Sequence, residues 1–550
     1  MTPGLSPKNI LARGTNWVGD AVMTLPAVSA LAGNFPESRL TVLTRPWAAA
    51  VYEHSPVVAE VLRHDRDGAH KGFFGRLRLA LELRSKNYDL ALLFQNAFEA
   101  ALTGALARIP ERWGYARDGR SFLLTRAIEL QEEDRYIHES FYYLNILKRC
   151  GLKAPFSLPR LFPQAGAEAK AAAALKAAGV REGEFLLALA PGAAFGSAKR
   201  WPMENFARAS RLVLRETQGR ALILGGSGES EIAALLAGLL GEQALNMTGC
   251  FSLDISLALL QRCGLLLTND SGLMHLGGAL GVPLAAAFGP TNPLTTSPLG
   301  RARMVRSQAA CSPCLKRECP LPRRICFDDV EPEKVAGAAL GLVNQKYAKN
   351  GKSPAVFLDR DGTINVDVDF LSDPSQLKLI DGAAEAVAGL NRAGFKVVVV
   401  TNQSGLARGF FTMEDLERIH GRLQAMLAEK GARVDAFYFC PHHPEGKVPE
   451  LSVECACRKP GLGLFEQAIE ELNINPAISF WVGDRMRDLA PAEKWGGSSA
   501  LVLTGYGLTE VKKGLKGQPS LVAPDLAGAA EWIIARSEAE LEPPPESLRK

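Results

Sequence analysis

The chain lacks an excess of charge of either sign. Sixty-three Lys and Arg against 59 Asp and Glu leave +4 over 550 residues, too weak a field for phosphate neutralisation to drive nucleic-acid binding, so nucleic acid is not an expected partner. Long hydrophobic runs are missing too. The best candidate, Leu257 to Leu267, is interrupted by Gln261 and Arg262, and a spanning helix needs about 20 mostly apolar residues. The opening residues, MTPGLSPKNILARG, show no cationic stretch followed by an apolar one, so no signal peptide is expected. Cysteine is scarce. Seven of the ten fall into two clusters of short spacing, a usage that favours metal sites over a secreted disulfide framework and predicts a cytoplasmic location.

With 47% hydrophobic and 22% charged residues, the composition is that of a folded protein. At about 150 residues per domain the length predicts three or four domains. From Lys8 to Gln345 short apolar runs alternate with helical segments, the pattern of parallel sheets with crossover helices, so the fold class is α/β. Strands are expected at Ile10–Ala12, Leu40–Leu43, Leu90–Phe94, Leu186–Ala190, Ala221–Leu224, Leu265–Thr268 and Leu284–Phe288. The Ala-rich helix Ala165–Ala178 reads as a connector, giving two Rossmann-like domains over 1–180 and 181–345. A polar linker at 346–353 leads to a third α/β domain over 354–535, with strands at Ala355–Asp359, Val397–Asn402, Phe437–Cys440, Ser479–Asp484 and Leu501–Thr504. The tail from Arg536 reads as an exposed end.

In the third domain an apolar strand ends in Asp359-Arg-Asp361-Gly-Thr, which sets two carboxylates at i and i+2 on one side of extended backbone. One can attack phosphorus while the other protonates the leaving oxygen and later activates water. Asp484 supplies a third carboxylate, and an oxygen-rich set of this kind (Asp359, Asp361, Asp484) suits Mg²⁺. Thr401, Asn402 and Lys459 are candidates to hold the phosphate. Each alone is equally read as a turn or surface residue. Between these motifs, Cys440-Pro-His442 and Cys455-Ala-Cys457 offer three thiols and an imidazole, enough to close a structural zinc site; free cysteines or a disulfide are the alternatives. Arg458 and Lys459 follow at once and would be aimed by the metal at substrate phosphate.

DRDGT, TNQSG, RKPG and GDRMRD come in the order seen in haloacid dehalogenase-type phosphatases, which residues 353–510 resemble. The resemblance implies Asp359 as nucleophile and Asp361 as acid/base, with Thr401, Lys459 and Asp484 at phosphate and Mg²⁺ positions and Asp488 in support. The cysteine-containing insert resembles that of D-glycero-D-manno-heptose 1,7-bisphosphate phosphatases and the related histidinol-phosphate phosphatases.

In the first half, Arg13-Gly-Thr-Asn-Trp-Val-Gly-Asp20, Pro191-Gly-Ala-Ala-Phe-Gly-Ser-Ala-Lys199-Arg-Trp-Pro and Thr268-Asn-Asp270-Ser271-Gly272-Leu-Met-His275 each leave a strand and approach a helix. Helix N-termini and flanking cations suit a diphosphate, although each segment taken singly also reads as helix capping or turn chemistry. Together with FGPTNP they resemble the lipopolysaccharide heptosyltransferase II family across residues 8–345. The resemblance implies two Rossmann-like domains facing across a cleft and transfer from ADP-heptose to the lipopolysaccharide inner core; no D-x-D pair is read as a metal site in this half, so the transfer is expected to need no metal, with cationic side chains and a helix N-terminus meeting the charge. In that reading Asp20 is the general base, Lys199 balances the departing ADP, and Asp270, Ser271, Gly272 and His275 line the donor site.

The chain is thus expected to be bifunctional, acting on ADP-heptose, an inner-core acceptor and heptose 1,7-bisphosphate, with peripheral contact at the inner membrane surface. A histidinol-phosphate-type activity and a catalytically inactive scaffold half are the competing readings. Cys311, Cys314, Cys319 and Cys326 stay open between a structural metal, free or redox-active thiols, and disulfides.

Overall fold

A computed structural model describes residues 6–344 and 351–541. Three six-stranded parallel sheets carry the fold, and numbered from its own first strand each has the order 3-2-1-4-5-6. The first contains Asn9–Arg13, Arg39–Thr44, Glu60–Arg63, Leu90–Leu93, Glu111–Tyr115 and Arg126–Ile128. Leu186–Ala190, Arg220–Ile223, Ala244–Asn246, Leu265–Asn269, Leu284–Phe288 and Ala302–Arg306 make the second. The third has Ala355–Leu358, Lys396–Asn402, Ala436–Cys440, Phe480–Gly483, Ser498–Val502 and Leu521–Ala523. This order sets strands one and four side by side with their connections leaving in opposite directions, and ligands of such sheets bind outside that reversal point.

The central strands are covered on both faces, which is why Leu90–Leu93, Leu186–Ala190 and Leu284–Phe288 are buried at every position and read as unbroken apolar runs. The edge strands Glu60–Arg63 and Ala302–Arg306 are half-buried and carry charges, so their sequence gives no such signal. Around the second sheet Trp201, Phe206, Val213, Leu236 and Leu267 form one core cluster; truncating Phe206 to Ala there would cost about 3–5 kcal/mol.

Contacts divide the chain into two compact units. One joins Met1–Gln131 to Tyr142–Lys346, and the other joins Glu132–Phe141 to Tyr347–Glu538. Two features depart from the sequence reading. Helix Ala165–Ala177 is no mere connector, because Ala167, Ala171 and Leu175 pack into the second sheet's core with Leu186 and Ala188. Helix Leu526–Leu541 runs through Arg536, which is buried and stacks on Trp532 5.5 Å away, where an exposed tail was expected. Residues 346–350 of the expected linker and 542–550 of the tail lie outside the described residues. Among the described residues no helix is long and apolar enough to cross a membrane.

Candidate active sites

The first unit gathers its expected site residues where two helix N-termini meet. Asp20 lies in the first turn of helix Val18–Asn34, and Gly272 opens helix Gly272–Ala279. These helices pack so closely that a Cβ on Gly19 would lie 2.7 Å from the His275 ring, where the buried imidazole would have to shift, and one on Gly272 would lie a tight 3.2 Å from Val18. Lys199 Nζ sits 2.7 Å from Asp270 Oδ2, a pair that bridges the ends of strands one and four of the second sheet. Burial pushes the Asp20 carboxyl up to about 6, opposed by Lys199 and reinforced by Asp270. Burial holds the His275 imidazole down at about 4, so it is neutral near pH 7. Ser271 Oγ is 3.2 Å from Thr268 Oγ1.

Asn269, not singled out from sequence, organises this site. Its Oδ1 accepts from the Trp201 N–H at 3.0 Å while its Nδ2 donates to the Pro191 carbonyl at 2.6 Å, which clamps both ends of the Lys199 turn to the fourth strand. Arg324 donates to the Ser197 carbonyl at 3.0 Å from outside. The one D-x-D spacing in this half, Asp65-Arg-Asp67, is committed elsewhere: Asp65 accepts from the Gly68 and Ala69 N–H groups, and Asp67 pairs with Arg45 at 3.2 Å.

In the second unit Asp359 and Asp484 stand at the ends of strands one and four of the third sheet. Lys459 Nζ lies 2.8 Å from Asp359 Oδ1, 2.7 Å from Asp488 Oδ1 and 2.6 Å from the Val400 carbonyl. Asn402 fixes that lysine's backbone, accepting its N–H at 3.0 Å and donating to its carbonyl at 3.1 Å. Burial raises Asp359 above the usual carboxylate range, against the pull of Lys459 and with the push of Asp488. Burial likewise brings Asp484 to about 7, with the Asp359 charge adding to the rise. The Asp484 Oδ2 accepts from the Tyr506 N–H at 2.7 Å, but its buried Oδ1 has no partner. Gly362, at φ +77°, and Gly505, at φ +55°, leave room for this carboxylate; a Cβ on Gly362 would fall 2.4 Å from Oδ2.

Asp359, Asp484 and Asp488 bring carboxylate oxygens within 4.8 Å of one another. All-oxygen donors around a buried, partnerless oxygen fit a hard divalent cation. Asp361, expected among the metal ligands, lines the same cleft but is not part of this group of three; its carboxylate takes Arg360, Asn365 and Gln403 at 2.8–3.1 Å. Burial acts upward on it, yet the Arg360 guanidinium and these hydrogen bonds outweigh burial and hold it below the usual range. The surrounding cleft is lined by Thr401, Asn402, Arg485, Arg487 and Tyr506. Arg458 is not among its lining; its guanidinium donates to the His442 carbonyl at 3.3 Å. Arg487 lies within electrostatic reach of Arg458, and Arg485 and Arg487, which line the cleft, were not singled out from sequence; only the strand-to-helix turn after Gly483 hinted at them.

The four expected zinc donors converge. Cys440 Sγ lies 3.5 Å from Cys455 Sγ and 3.4 Å from Cys457 Sγ, and His442 Nδ1 is 3.3 Å from Cys457 Sγ. Tetrahedral thiolates at a zinc ion stand about 3.8 Å apart; a disulfide's sulfurs are bonded at about 2.05 Å. With Cys455 and Cys457 Sγ 3.1 Å apart, the thiols are too far apart for a disulfide and gathered closely enough to be drawn round one ion. By contrast, no three of Cys311, Cys314, Cys319 and Cys326 gather at ligating distance among the described residues; burial pushes the Cys326 thiol up to about 11, with the other three within electrostatic reach.

Comparison with known proteins defines the class of each half. Glycosyltransferase family 9 (heptosyltransferase) matches residues 76–324, and the HAD-hydrolase-like family matches residues 456–529. The structure of E. coli ADP-heptose LPS heptosyltransferase II aligns over its whole length and 62% of this chain, with TM-score 0.53 and 26% identity. D-glycero-beta-D-manno-heptose-1,7-bisphosphate 7-phosphatase of Escherichia coli O6:H1 is 40% identical over 198 residues, 95% of that protein and 36% of this chain. The same enzyme of Yersinia pestis is 46% identical over 157 residues, 84% of it and 28% of this chain. The chain belongs to the heptose-1,7-bisphosphate 7-phosphatase family, joined to a family 9 glycosyltransferase domain.

Proposed function

We propose that the chain is a bifunctional enzyme of lipopolysaccharide core biosynthesis, transferring heptose from ADP-L-glycero-D-manno-heptose to the inner core and removing the 7-phosphate of D-glycero-D-manno-heptose 1,7-bisphosphate. The observation that carries it is the coexistence of two built sites, Asp20 beside Lys199–Asp270 and Asp359 beside Lys459 and Asp484, in one chain whose relatives are a heptosyltransferase and heptose phosphatases.

In the transferase, Asp20 accepts the proton of the acceptor hydroxyl, and its value of about 6 leaves it ionised yet basic at neutral pH. Lys199 and the N–H groups opening helix Gly272–Ala279 meet the charge growing on the departing diphosphate. No metal is needed for that. In the phosphatase, Asp359 attacks phosphorus and forms an aspartyl-phosphate, while Lys459 and the Arg485 and Arg487 side chains face the phosphate. Asp361 acts first as acid and then as base: to protonate the leaving sugar oxygen it must part from Arg360 and take up a proton from solvent, and the anion left after that transfer, the form Arg360 holds, accepts a proton from the water that hydrolyses the aspartyl-phosphate. A divalent cation of the magnesium class would be held by Asp359 and Asp484 and would neutralise phosphate charge. Zinc at Cys440, His442, Cys455 and Cys457 would be structural, leaving no position for water.

A lipid-linked acceptor implies peripheral contact with the inner membrane surface. The scarcity of cysteine and its clustering at short spacings support a cytoplasmic, reducing location. The test is a panel on the full chain: heptose transfer from ADP-heptose to a soluble inner-core acceptor, and phosphate release from both anomers of heptose 1,7-bisphosphate and from histidinol phosphate. Preference for histidinol phosphate would overturn the phosphatase assignment, and absence of transfer would leave that half a scaffold.

A further inference from the structure

In a parallel sheet every crossover helix starts from the same edge, the carboxyl edge that also carries the site. Along this edge of the first sheet, each of the first five strands is followed by an exposed aromatic side chain. Trp17 precedes helix Val18–Asn34, Trp47 lies in the turn after Arg39–Thr44, and Phe73 and Phe74 open helix Gly72–Ser85. Phe98 opens helix Phe98–Leu106, and Phe122 follows Glu111–Tyr115. Phe73, Phe74 and Phe122 are 73%, 82% and 76% exposed. The second sheet is an internal control of the same topology, and between residues 181 and 344 it exposes no Trp or Phe.

Side-chain links make these residues one continuous rim. Trp47 donates to the Asn16 carbonyl at 2.7 Å, and Arg45 lies over the Trp47 ring while pairing with Asp67 at 3.2 Å. Arg66 and Arg76 meet Glu99 at 3.7 and 3.8 Å, and the Phe98 and Phe122 rings are 6.1 Å apart. At this edge Arg66, Lys71, Arg76 and Arg78 stand against Asp67 and Glu99, in a protein whose whole excess is +4. Leu77 and Leu81 extend the apolar surface along the exposed side of helix Gly72–Ser85.

We infer that this rim, centred on Phe73 and Phe74, is a docking surface for an anionic lipid bilayer. Aromatic rings lodge at the boundary between headgroups and acyl chains, and a single apolar anchor binds only marginally until cations add a second attraction to anionic headgroups. Here both signals share one edge. The rim begins at Trp17, within one helical turn of Asp20, so a bilayer held along it presents a lipid-linked acceptor to the base. The inference rests on the transferase reading for its purpose, but its test does not.

The full chain is sedimented with vesicles of phosphatidylglycerol and phosphatidylethanolamine, and with vesicles of phosphatidylcholine. The wild-type protein should pellet with the anionic vesicles, less so as salt rises. Phe73→Ser/Phe74→Ser, and separately Lys71→Glu/Arg78→Glu, should each lower the partition coefficient about tenfold or more. Because these side chains are exposed, melting temperature and heptose transfer to a soluble acceptor should stay unchanged. Equal pelleting of wild type and variants, or none by the wild type, overturns the inference. So does self-association of the wild type that the Phe variant abolishes without vesicle binding, since the rim would then belong to a second copy. If vesicle binding behaves as expected but no soluble acceptor is glycosylated, the transferase reading fails and the docking surface stands.

Discussion

Lys199 and Asp270 form a 2.7 Å ion pair across the point where strand order reverses in the second sheet, with side chains only 15% and 7% exposed. The cation expected to meet the ADP diphosphate is therefore already neutralised by a buried carboxylate. Lys199→Ala should weaken ADP binding by about 10- to 100-fold, the loss of one charge-assisted contact. It should also destabilise the fold by about 3–5 kcal/mol, because Asp270 is left buried without its partner. Lys199→Ala/Asp270→Asn should recover most of the stability and none of the affinity. Calorimetric titration with ADP alongside thermal melts separates the two effects.

Transferase turnover should fall as pH drops through about 6. The Asp20 carboxyl is raised by burial, so the ionised form that accepts a proton is present above that value and lost below it. In Asp20→Ala this acid limb should vanish and kcat should drop about 10²–10⁴-fold, the range for a positioned base, with donor affinity nearly unchanged. An acid limb that persists in the variant would assign the titration to another group.

Asp359→Asn should abolish phosphate release while heptose transfer continues, since the nucleophile lies in a separate compact unit from Asp20. Asp361→Asn should cost about 10²–10⁴-fold in kcat. Single-turnover measurement with phosphate release and transfer read on the same preparation checks both, and normal release by the Asp359 variant would remove the nucleophile.

Metal analysis of the full chain should find about one zinc per chain held by the four converging donors. Cys440→Ser/Cys455→Ser should lose that zinc and lower the melting temperature of the phosphatase transition. Phosphatase activity should fall with it, because Arg458 and Lys459 follow the last cysteine and Lys459 contacts Asp359. Unchanged metal content would show that the thiols hold nothing.

What sequence alone determined was everything encoded within one strand–turn–helix. Central strands buried on both faces must be apolar throughout, so they were legible, and the carboxylates and glycines of DRDGT, TNDSG and GDRMRD sit within a few residues of those strands' ends. The Cys440–Cys457 donors were legible for the same reason, since short spacing confines where their side chains can meet. Only the tertiary structure decided which of these groups touch. Lys459 reaches Asp359 across 100 residues of chain and Asn402 across 57; Asn269 clamps a turn 68 to 78 residues away. It also paired Asp361 with Arg360, Asn365 and Gln403 and packed helix Ala165–Ala177 on the second sheet. Such pairings depend on strand order and packing, which place residues from distant segments at one sheet edge, and local periodicity carries no record of that arrangement.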